Sequence, residues 1–262
     1  MNAAQRRPAF YRYALATRLS HWLWFVAFLV LVGSGLQIFN ASPNLDASDK
    51  SDPASRVLAI GSPAQGVGTT TIFGHTLVTT GWLGWTSDGM GERGPRAFGA
   101  TITIPGYQDL AGGRRWHFFF AWIAILCWLV WLVSTAVKGN LRELILRRDD
   151  WGKLWPMQAY YLRLRKTPPD HGTYNPLQKL AYCSVLFVIA PFVVLTGLAL
   201  SPGIDAIANP LTILLGGRQF ARLWHFAGML LLIGFFAVHL FQVLTQGFFN
   251  QMRSMITGWY RA

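Results

Sequence analysis

The sequence predicts an all-α membrane protein, a four-transmembrane-helix bundle with a long extracytoplasmic loop between helices 1 and 2. The first observation behind this prediction is composition, because 52% of the 262 residues are hydrophobic and only 13% are charged. Soluble domains carry about a quarter charged residues. The second observation is the presence of four apolar stretches of about 20 residues, the length that crosses a bilayer.

The four spans belong to one predicted membrane-embedded domain, residues 1–262. They cover residues 21–39, 116–137, 180–200 and 223–246, with the outer loop at 40–115. Pro191 predicts a kink in the third span. Residues 69–85 are a weaker candidate, which threonine and glycine dilute, and we interpret them as part of the loop. The first span is long for a signal peptide and no A-x-A site follows, so we expect a retained helix.

The distribution of basic residues predicts the orientation of the chain. The formal net charge is +12, and the basic residues lie between the apolar runs, so topology explains them better than nucleic-acid binding does. Fifteen basic residues lie on the side of the two termini, Arg6 and Arg7 among them, and eight lie on the other side. The positive-inside rule then places both termini in the cytoplasm and the 40–115 loop outside.

Four of the six histidines, His21, His117, His225 and His239, lie within or at the ends of the apolar spans. Histidine in a bilayer is costly and by default indicates function. The alternating helix directions put His117 and His225 at the outer side, and His21 at the inner side. His239 follows His225 by fourteen residues, which is about 21 Å along a helix and within about 40° of the same face. The histidines therefore form an outer pair (His117 and His225) and an inner pair (His21 and His239).

Each pair suits an axial ligand set for haem iron, because neutral imidazole binds such iron and helix bundles hold such sites between facing helices. The sequence therefore predicts two b-type haems with bis-histidine ligation. A spanning helix at 69–85 would reverse the later helices and leave His239 without a partner. His75 and His171 lie in loops and are expected at the surface. Cys127 and Cys183 form no CxxC or CxxCH motif, and we interpret them as small buried side chains.

Other residues near the histidines have two interpretations each. Gly35 follows His21 by fourteen residues, so it leaves room for a macrocycle or serves helix packing. Arg18, Arg114 and Arg115 precede the histidines, where they pair with haem propionates or act as interfacial topology signals. The sequence carries no catalytic dyad, no phosphate-binding loop and no dinucleotide fingerprint, so we expect no catalytic residue.

Four motifs resemble the bacterial di-haem cytochrome b family, which includes the b subunits of formate dehydrogenase and nickel–iron hydrogenase. They are RLSHWLWF (18–25), GRRWHFFFAW (113–122), NPLQKLAY (175–182) and RLWHFAGMLLLIGFFAVHLFQ (222–242). The chain is most similar to the thiosulfate reductase cytochrome b-like branch, through DLAGGRRWHF (109–118) at the end of the long loop. The resemblance covers nearly the whole chain.

The resemblance implies a membrane-anchoring subunit of the bacterial inner membrane that passes electrons between the quinone pool and a partner enzyme. It implies that all four histidines are ligands, that the partner is a periplasmic molybdopterin oxidoreductase, and that the long loop is its docking surface. It also implies a quinone site near the inner haem, at Asn175 with Gln178 one turn further on. Asn175 followed by Pro176 also reads as a helix N-cap.

Two other functions stay open at the level of the sequence. A stand-alone cytochrome b561-type quinol oxidase would act on a diffusible acceptor such as superoxide and would need no partner. A transporter would use the histidines as a proton relay and would show no haem absorbance.

Overall fold

The computed structural model describes residues 9–172, 174–245 and 247–261. Residues 1–8, and with them Arg6 and Arg7, lie outside this description. The chain divides into two compact units, which we name by their content. The terminal unit comprises Met1–Trp22, Trp128–Phe192 and Leu230–Ala262, and the loop unit comprises Leu23–Cys127 and Val193–Met229.

Helices dominate the chain. They are α1 (Leu15–Phe39), α2 (Leu110–Val137), α3 (Leu141–Leu144), α4 (Arg148–Trp151), α5 (Leu154–Tyr161), α6 (Pro176–Ser184), α7 (Ala190–Leu200), α8 (Pro202–Leu214), α9 (Arg218–Thr245) and α10 (Phe248–Thr257). Four stretches within the described ranges are long and apolar enough to cross a membrane: Leu15–Phe39, Leu110–Val137, Pro176–Leu200 and Arg218–Thr245. The predicted number of spans is confirmed.

The helices begin earlier than the apolar stretches that predicted them. The helix α1 starts at Leu15 rather than at residue 21, and α2 starts at Leu110 rather than at residue 116. Polar residues such as Arg18 and Arg114 belong to these first turns, because a helix continues into the interface after its apolar run ends. His21 and His117 therefore lie inside their helices rather than at the ends.

The third span contains an irregular turn at the predicted site of a kink. Residues Val185–Ile189 form a π-helical segment between α6 and α7, just before Pro191. Proline has no N–H to donate to the carbonyl four residues earlier, which disturbs the α-helical pattern there. Within this segment, the carbonyl oxygen of Leu186 accepts a hydrogen bond from the Trp128 Nε1 at 3.0 Å.

The all-α prediction missed the strands, most of which lie in the 40–115 loop. The strands are β1 (Ala9–Tyr11), β2 (Asn44–Asp46), β3 (Arg56–Ala64), β4 (Val67–Ile72), β5 (His75–Val78), β6 (Leu83–Ser87), β7 (Arg93–Phe98) and β8 (Trp259–Arg261). They form an antiparallel sheet in the order β2-β3-β4-β5 and two antiparallel pairs, β6-β7 and β1-β8. The threonines that weakened residues 69–85 as a span favour strands because they are β-branched. These residues form β4, β5 and part of β6 instead of a spanning helix.

The loop is folded against helix ends within the loop unit. Leu36 and Phe39 of α1 are buried together with Leu45, Ile60 and Phe98 from the strands. The Phe39 ring also lies 5.1 Å, centroid to centroid, from Phe226 of α9. This cluster fixes the strands to α1 and α9, and the loop is thus a structured layer rather than a simple connection.

In the terminal unit, the two ends of the described chain meet. Strand β1 pairs with β8, with Phe10 opposite Tyr260. Gly258 connects α10 to β8 at φ +88°, and a Cβ there would lie 2.5 Å from the Tyr11 ring. Only glycine satisfies both demands. The short sheet holds α10 beside the first turns of α1.

Candidate functional site: two histidine pairs

The loop unit contains the outer pair. His117 of α2 and His225 of α9 face each other with ring centroids 6.1 Å apart and ring planes at 65°. Neither ring is exposed, as expected for imidazoles inside apolar helices. The helices α2 and α9, which are distant in sequence, thus bring their histidines together, in agreement with the equal depth predicted for them.

In the outer pair, a hydroxyl group lies within hydrogen-bond distance of the Nδ1 of each ring. The Nδ1 of His117 lies 3.0 Å from Ser34 Oγ of α1, and the Nδ1 of His225 lies 3.0 Å from Thr196 Oγ1 of α7. Ser34 donates its proton to the carbonyl oxygen of Val30, and Thr196 donates to that of Val193. Since a hydroxyl has one proton, each oxygen accepts from the imidazole, and the proton of each ring is on Nδ1. The Nε2 of each ring is then left with a lone pair for a metal.

A glycine follows each of these hydroxyl residues and contacts the same histidine. A Cβ at Gly35 would lie 3.4 Å from His117 Cε1, and one at Gly197 would lie 3.1 Å from His225 Cε1. Ser34-Gly35 on α1 and Thr196-Gly197 on α7 therefore have the same arrangement. The hydroxyl accepts from the histidine Nδ1, and the glycine leaves room for the histidine ring. Of these four residues only Gly35 was predicted from the sequence. The signal for Ser34, Thr196 and Gly197 was a hydroxyl residue followed by glycine inside a span.

The terminal unit contains the inner pair. His21 of α1 and His239 of α9 have ring centroids 6.3 Å apart and ring planes at 58°. Aromatic rings, rather than hydroxyls, surround them: Phe235 stacks on His239 at 5.8 Å and 16°, and Trp22 meets His21 edge-on at 5.3 Å. The Nδ1 of His21 is buried and has no hydrogen-bond partner in the part of the chain that the structure describes. A buried polar atom normally has a hydrogen-bond partner, so this nitrogen marks a place where the described residues leave one position open.

Both pairs fit a metal bound by two imidazoles. Two metal–nitrogen bonds of about 2 Å, placed end to end between the rings, separate the ring centroids by about 6.3 Å. The observed separations are 6.1 and 6.3 Å. No group of three or more His, Cys, Asp or Glu side chains suited to a metal occurs within the described ranges. Two imidazoles without a third protein ligand match axial ligation of haem, in which the porphyrin supplies the other nitrogens.

The three arginines predicted to bind propionates have different surroundings. Arg18 donates from Nη1 to the carbonyl oxygen of Ile256 at the end of α10, and its Nε is buried without a partner among the described residues. Arg114 and Arg115 are exposed, and the Arg114 guanidinium lies over the Phe118 ring. Of the three, only Arg18 presents a buried donor near a histidine.

Asn175 and Gln178, the predicted quinone residues, form a capping box at the start of α6. Asn175 Oδ1 accepts from the Gln178 backbone at 2.9 Å, and Gln178 Oε1 accepts from the Asn175 backbone at 3.2 Å. The amide of Asn175 also donates to the Tyr161 hydroxyl at 3.0 Å. These hydrogen bonds are those of a helix N-cap, as the capping interpretation predicted, and both side chains take part in them.

A line of aromatic rings in the terminal unit was not expected from the sequence. Tyr174 contacts Tyr182 at 5.8 Å, Tyr182 contacts Phe235 at 6.4 Å, and Phe235 stacks on His239. Burial, assisted by the nearby Tyr13, raises the pKa of Tyr174 to about 12. The phenol therefore keeps its proton at neutral pH. This line connects the residue before Asn175 with the inner pair.

Spanning helices and paired histidines inside them define a membrane protein of the b-type cytochrome class. The chain belongs to the prokaryotic cytochrome b561 family, whose model matches residues 12–258. This match includes all four paired histidines. The chain is therefore a multi-pass membrane cytochrome of the b type with a role in electron transport.

Named relatives extend the comparison. The chain is 27% identical to YedZ1 of Azospira oryzae, named as a protein-methionine-sulfoxide reductase subunit, over 86% of each chain. It is 32% identical to a protein of Azotobacter vinelandii named as a Ni/Fe-hydrogenase B-type cytochrome subunit, over 60% of this chain and 73% of that one. It is 27% identical to the Escherichia coli cytochrome YdhU, over 55% and 58%.

Proposed function

We propose that this chain is a membrane-anchoring di-haem cytochrome b subunit that transfers electrons between the quinone pool and a partner oxidoreductase. The observation that carries the proposal is the presence of two imidazole pairs of similar separation, 6.1 and 6.3 Å, one in each unit. The names of the relatives support it, since two of them are subunits of a reductase and a hydrogenase. Family membership does not support the histidine transporter.

His117 and His225 would hold the outer haem, and His21 and His239 the inner haem. Haem, when bound, supplies one-electron chemistry between ferric and ferrous iron. The protein orients the ligands: Ser34 and Thr196 fix the tautomer and the rotation of the outer rings, whereas Phe235 and Trp22 pack around the inner rings. The apolar helices keep water from both sites.

The proposed orientation places the chain in the bacterial inner membrane with both termini in the cytoplasm and the 40–115 loop in the periplasm. The excess of basic residues on the side of the termini supports it. In intact spheroplasts, a membrane-impermeant thiol reagent should label a Met90→Cys variant and not an Arg165→Cys variant, both positions being exposed. The opposite labelling pattern would reverse the proposed orientation.

The proposed quinone site lies beside the inner pair, near Asn175 and Gln178. The capping bonds use the Oδ1 of Asn175 and the Oε1 of Gln178. The Asn175 side-chain NH2 group, which donates to the Tyr161 hydroxyl, would donate to a quinone oxygen in its place. The ring line from Tyr174 to His239 supports the proposal because it joins this place to the inner ligands. Quinol-dependent haem reduction by the purified protein tests it.

The proposed partner is a periplasmic molybdopterin oxidoreductase, and the proposed docking surface is the part of the 40–115 loop formed by the hairpin of β4 and β5 and the turn that follows β5. Phe98, an aromatic residue of the loop, is buried in the core, but Phe73, Leu77, Val78 and Trp82 are exposed, Trp82 by 85%. Exposed apolar side chains in a cluster are typical of an interaction surface.

Co-purification from the native membrane tests this surface. A Leu77→Ser/Trp82→Ser variant should retain both haems and lose the partner. Purification of the wild-type chain alone, with full quinol oxidation by a small diffusible acceptor, would instead favour the stand-alone quinol oxidase.

A further inference from the structure

Arg96 of β7 is a deeply buried cation in the loop unit, with 5% of its surface exposed. Its Nη1 donates to the carbonyl oxygens of Gly106 and Asp88 at 2.7 and 3.2 Å. Its Nη2 donates to Gln37 Oε1 at 2.6 Å and to Thr103 Oγ1 at 2.8 Å. All four acceptors are uncharged, so these bonds hold the guanidinium in place without neutralising it.

Within the ranges that the structure describes, no carboxylate forms a close ion pair with Arg96, and the Asp88 carboxylate attracts it only at longer range. None of the ion pairs found there involves Arg96, and its Nε is buried without a hydrogen-bond partner. Burying an uncompensated charge is costly, and a guanidinium does not escape by losing its proton. The same unit supplies a buried carboxylate, Asp46, to the more exposed Arg56 at 3.0 Å. Among the described residues, Arg96 thus has neither a directly bound carboxylate nor an acceptor at Nε, and both features point to an anionic ligand.

The contacts of Arg96 place it next to the outer pair. Gln37, which accepts from Arg96, lies one helical turn after Ser34, and Ser34 accepts from His117. Gly113 of α2 lies one turn before His117, and a Cβ there would lie 2.8 Å from Gln37 Cγ. The Arg96 guanidinium therefore lies near the start of α2, about one to two helical turns from His117, where α1 and α2 are in contact.

We propose that Arg96 binds a propionate carboxylate of the haem held by His117 and His225, through its unused Nε–H and its positive charge. The inference rests on the proposed function, because it requires the outer haem. A carboxylate satisfies both deficits of Arg96 at once, since a charge-assisted hydrogen bond supplies an acceptor and a counter-charge. Arg114 and Arg115 are exposed, so water screens their charges and makes them weaker partners.

This pairing would set a property of the outer haem that can be measured. A propionate without its cation favours ferric iron, which carries one more positive charge than ferrous iron. It also binds a proton more readily when the iron is reduced. Loss of Arg96 should therefore lower the midpoint potential of the outer haem and make that potential fall with rising pH.

The test compares Arg96→Gln with Arg93→Gln in redox titrations at several pH values. Both variants remove one arginine charge from β7, but Arg93 is exposed. We expect Arg96→Gln to lower only the outer potential and to make it pH-dependent, and Arg93→Gln to match the wild type. Equal titrations for the two variants would overturn the proposal. A wild-type protein without an outer haem would instead show that the proposed function has failed.

A second measurement needs no variant and covers the case in which Arg96→Gln does not fold. Wild-type protein carrying haem ¹³C-labelled at the propionates is examined by infrared difference spectroscopy at about pH 5, near the ordinary titration range of a carboxyl group. An ionised outer propionate is expected, because Arg96 favours the charged form. Protonation of both outer propionates at that pH would overturn the proposal. Propionate bands that titrate over the ordinary range of a carboxyl group would also overturn it, because Arg96 would then bind some other anion.

Discussion

The two histidine pairs differ in what surrounds their rings, although the separation of the two rings is similar in both pairs. Ser34 and Thr196 accept from the outer rings, and two glycines lie against them. The inner rings instead contact Phe235 and Trp22 of their own helices, and the Nδ1 of His21 has no partner among the described residues. The outer pair is therefore fixed by hydrogen bonds, and the inner pair by packing.

The difference matters because a histidine ligand is tuned through its second nitrogen. An acceptor at Nδ1 makes the imidazole more basic and fixes its orientation, and such partners affect metal affinity by about 10–100-fold. The outer pair has this support built into the fold. The inner pair is more dependent on what surrounds it, and it is the pair next to the proposed quinone site.

The largest effect is expected from filling the space beside an outer ring. Gly197→Val should displace His225, because even a Cβ would lie 3.1 Å from its Cε1. We expect the outer haem to be lost and the inner haem to remain, as measured by the absorbance of the purified protein. Gly234→Val in α9 is the matched control, since nothing lies within 4 Å of a Cβ there. Retention of both haems in Gly197→Val would show that the outer site does not need this space.

A smaller effect is expected from removing the hydroxyl acceptors. Ser34→Ala takes away the hydroxyl that accepts from His117, and Thr196→Val takes away the hydroxyl that accepts from His225. Each histidine keeps a backbone carbonyl, that of Leu31 for His117 and that of Val193 for His225. Ser34→Ala should therefore weaken outer haem binding about 10-fold or more and raise its midpoint potential, because a less basic ligand stabilises ferric iron less well. Thr196→Val should have a similar effect.

Redox titration and haem content measure both changes. The inner component serves as the internal control, because both hydroxyls hydrogen-bond to rings of the outer pair. An equal shift of both haem potentials in Ser34→Ala would contradict the assignment of this hydroxyl to the outer site.

The smallest effect is expected at the start of α6, where capping and quinone binding can be separated. Asn175→Ala removes an N-cap and should cost about 1 kcal/mol of stability as well as slowing quinol-dependent haem reduction. Asn175→Asp keeps the cap, since aspartate is an equally good N-cap residue, but removes the amide that donates to Tyr161. Slow reduction in both variants with normal stability in Asn175→Asp is the expected pattern. Normal quinol kinetics in Asn175→Asp would assign Asn175 to capping alone.

The pairing of the four histidines was the part of the site that the sequence predicted well. The fourteen-residue spacing of His225 and His239 fixes both face and depth on one helix, and single histidines on α1 and α2 complete the pairs. Spacing within a helix is a local property, so it can be read from a sequence. The number of spans followed from the same kind of pattern.

The supporting residues could not be predicted because their partners are distant in sequence. Serine and threonine occur in many membrane helices, and nothing local distinguishes Ser34 or Thr196 from residues that bond only to their own backbone. Arg96 lies in the loop, where a basic residue normally meets water. Its burial depends on a sheet that the all-α prediction did not contain.

The most direct test of two haems on two separate histidine pairs is the spectrum of single histidine variants beside that of the wild type. The wild-type protein should bind two haems, with two components in a redox titration. His117→Ala and His225→Ala should both remove or turn high-spin the same component, and His21→Ala and His239→Ala the other, while the exposed His75→Ala and His171→Ala keep both. A wild-type protein with a single haem would contradict this account, as would loss of the same component in His117→Ala and His21→Ala.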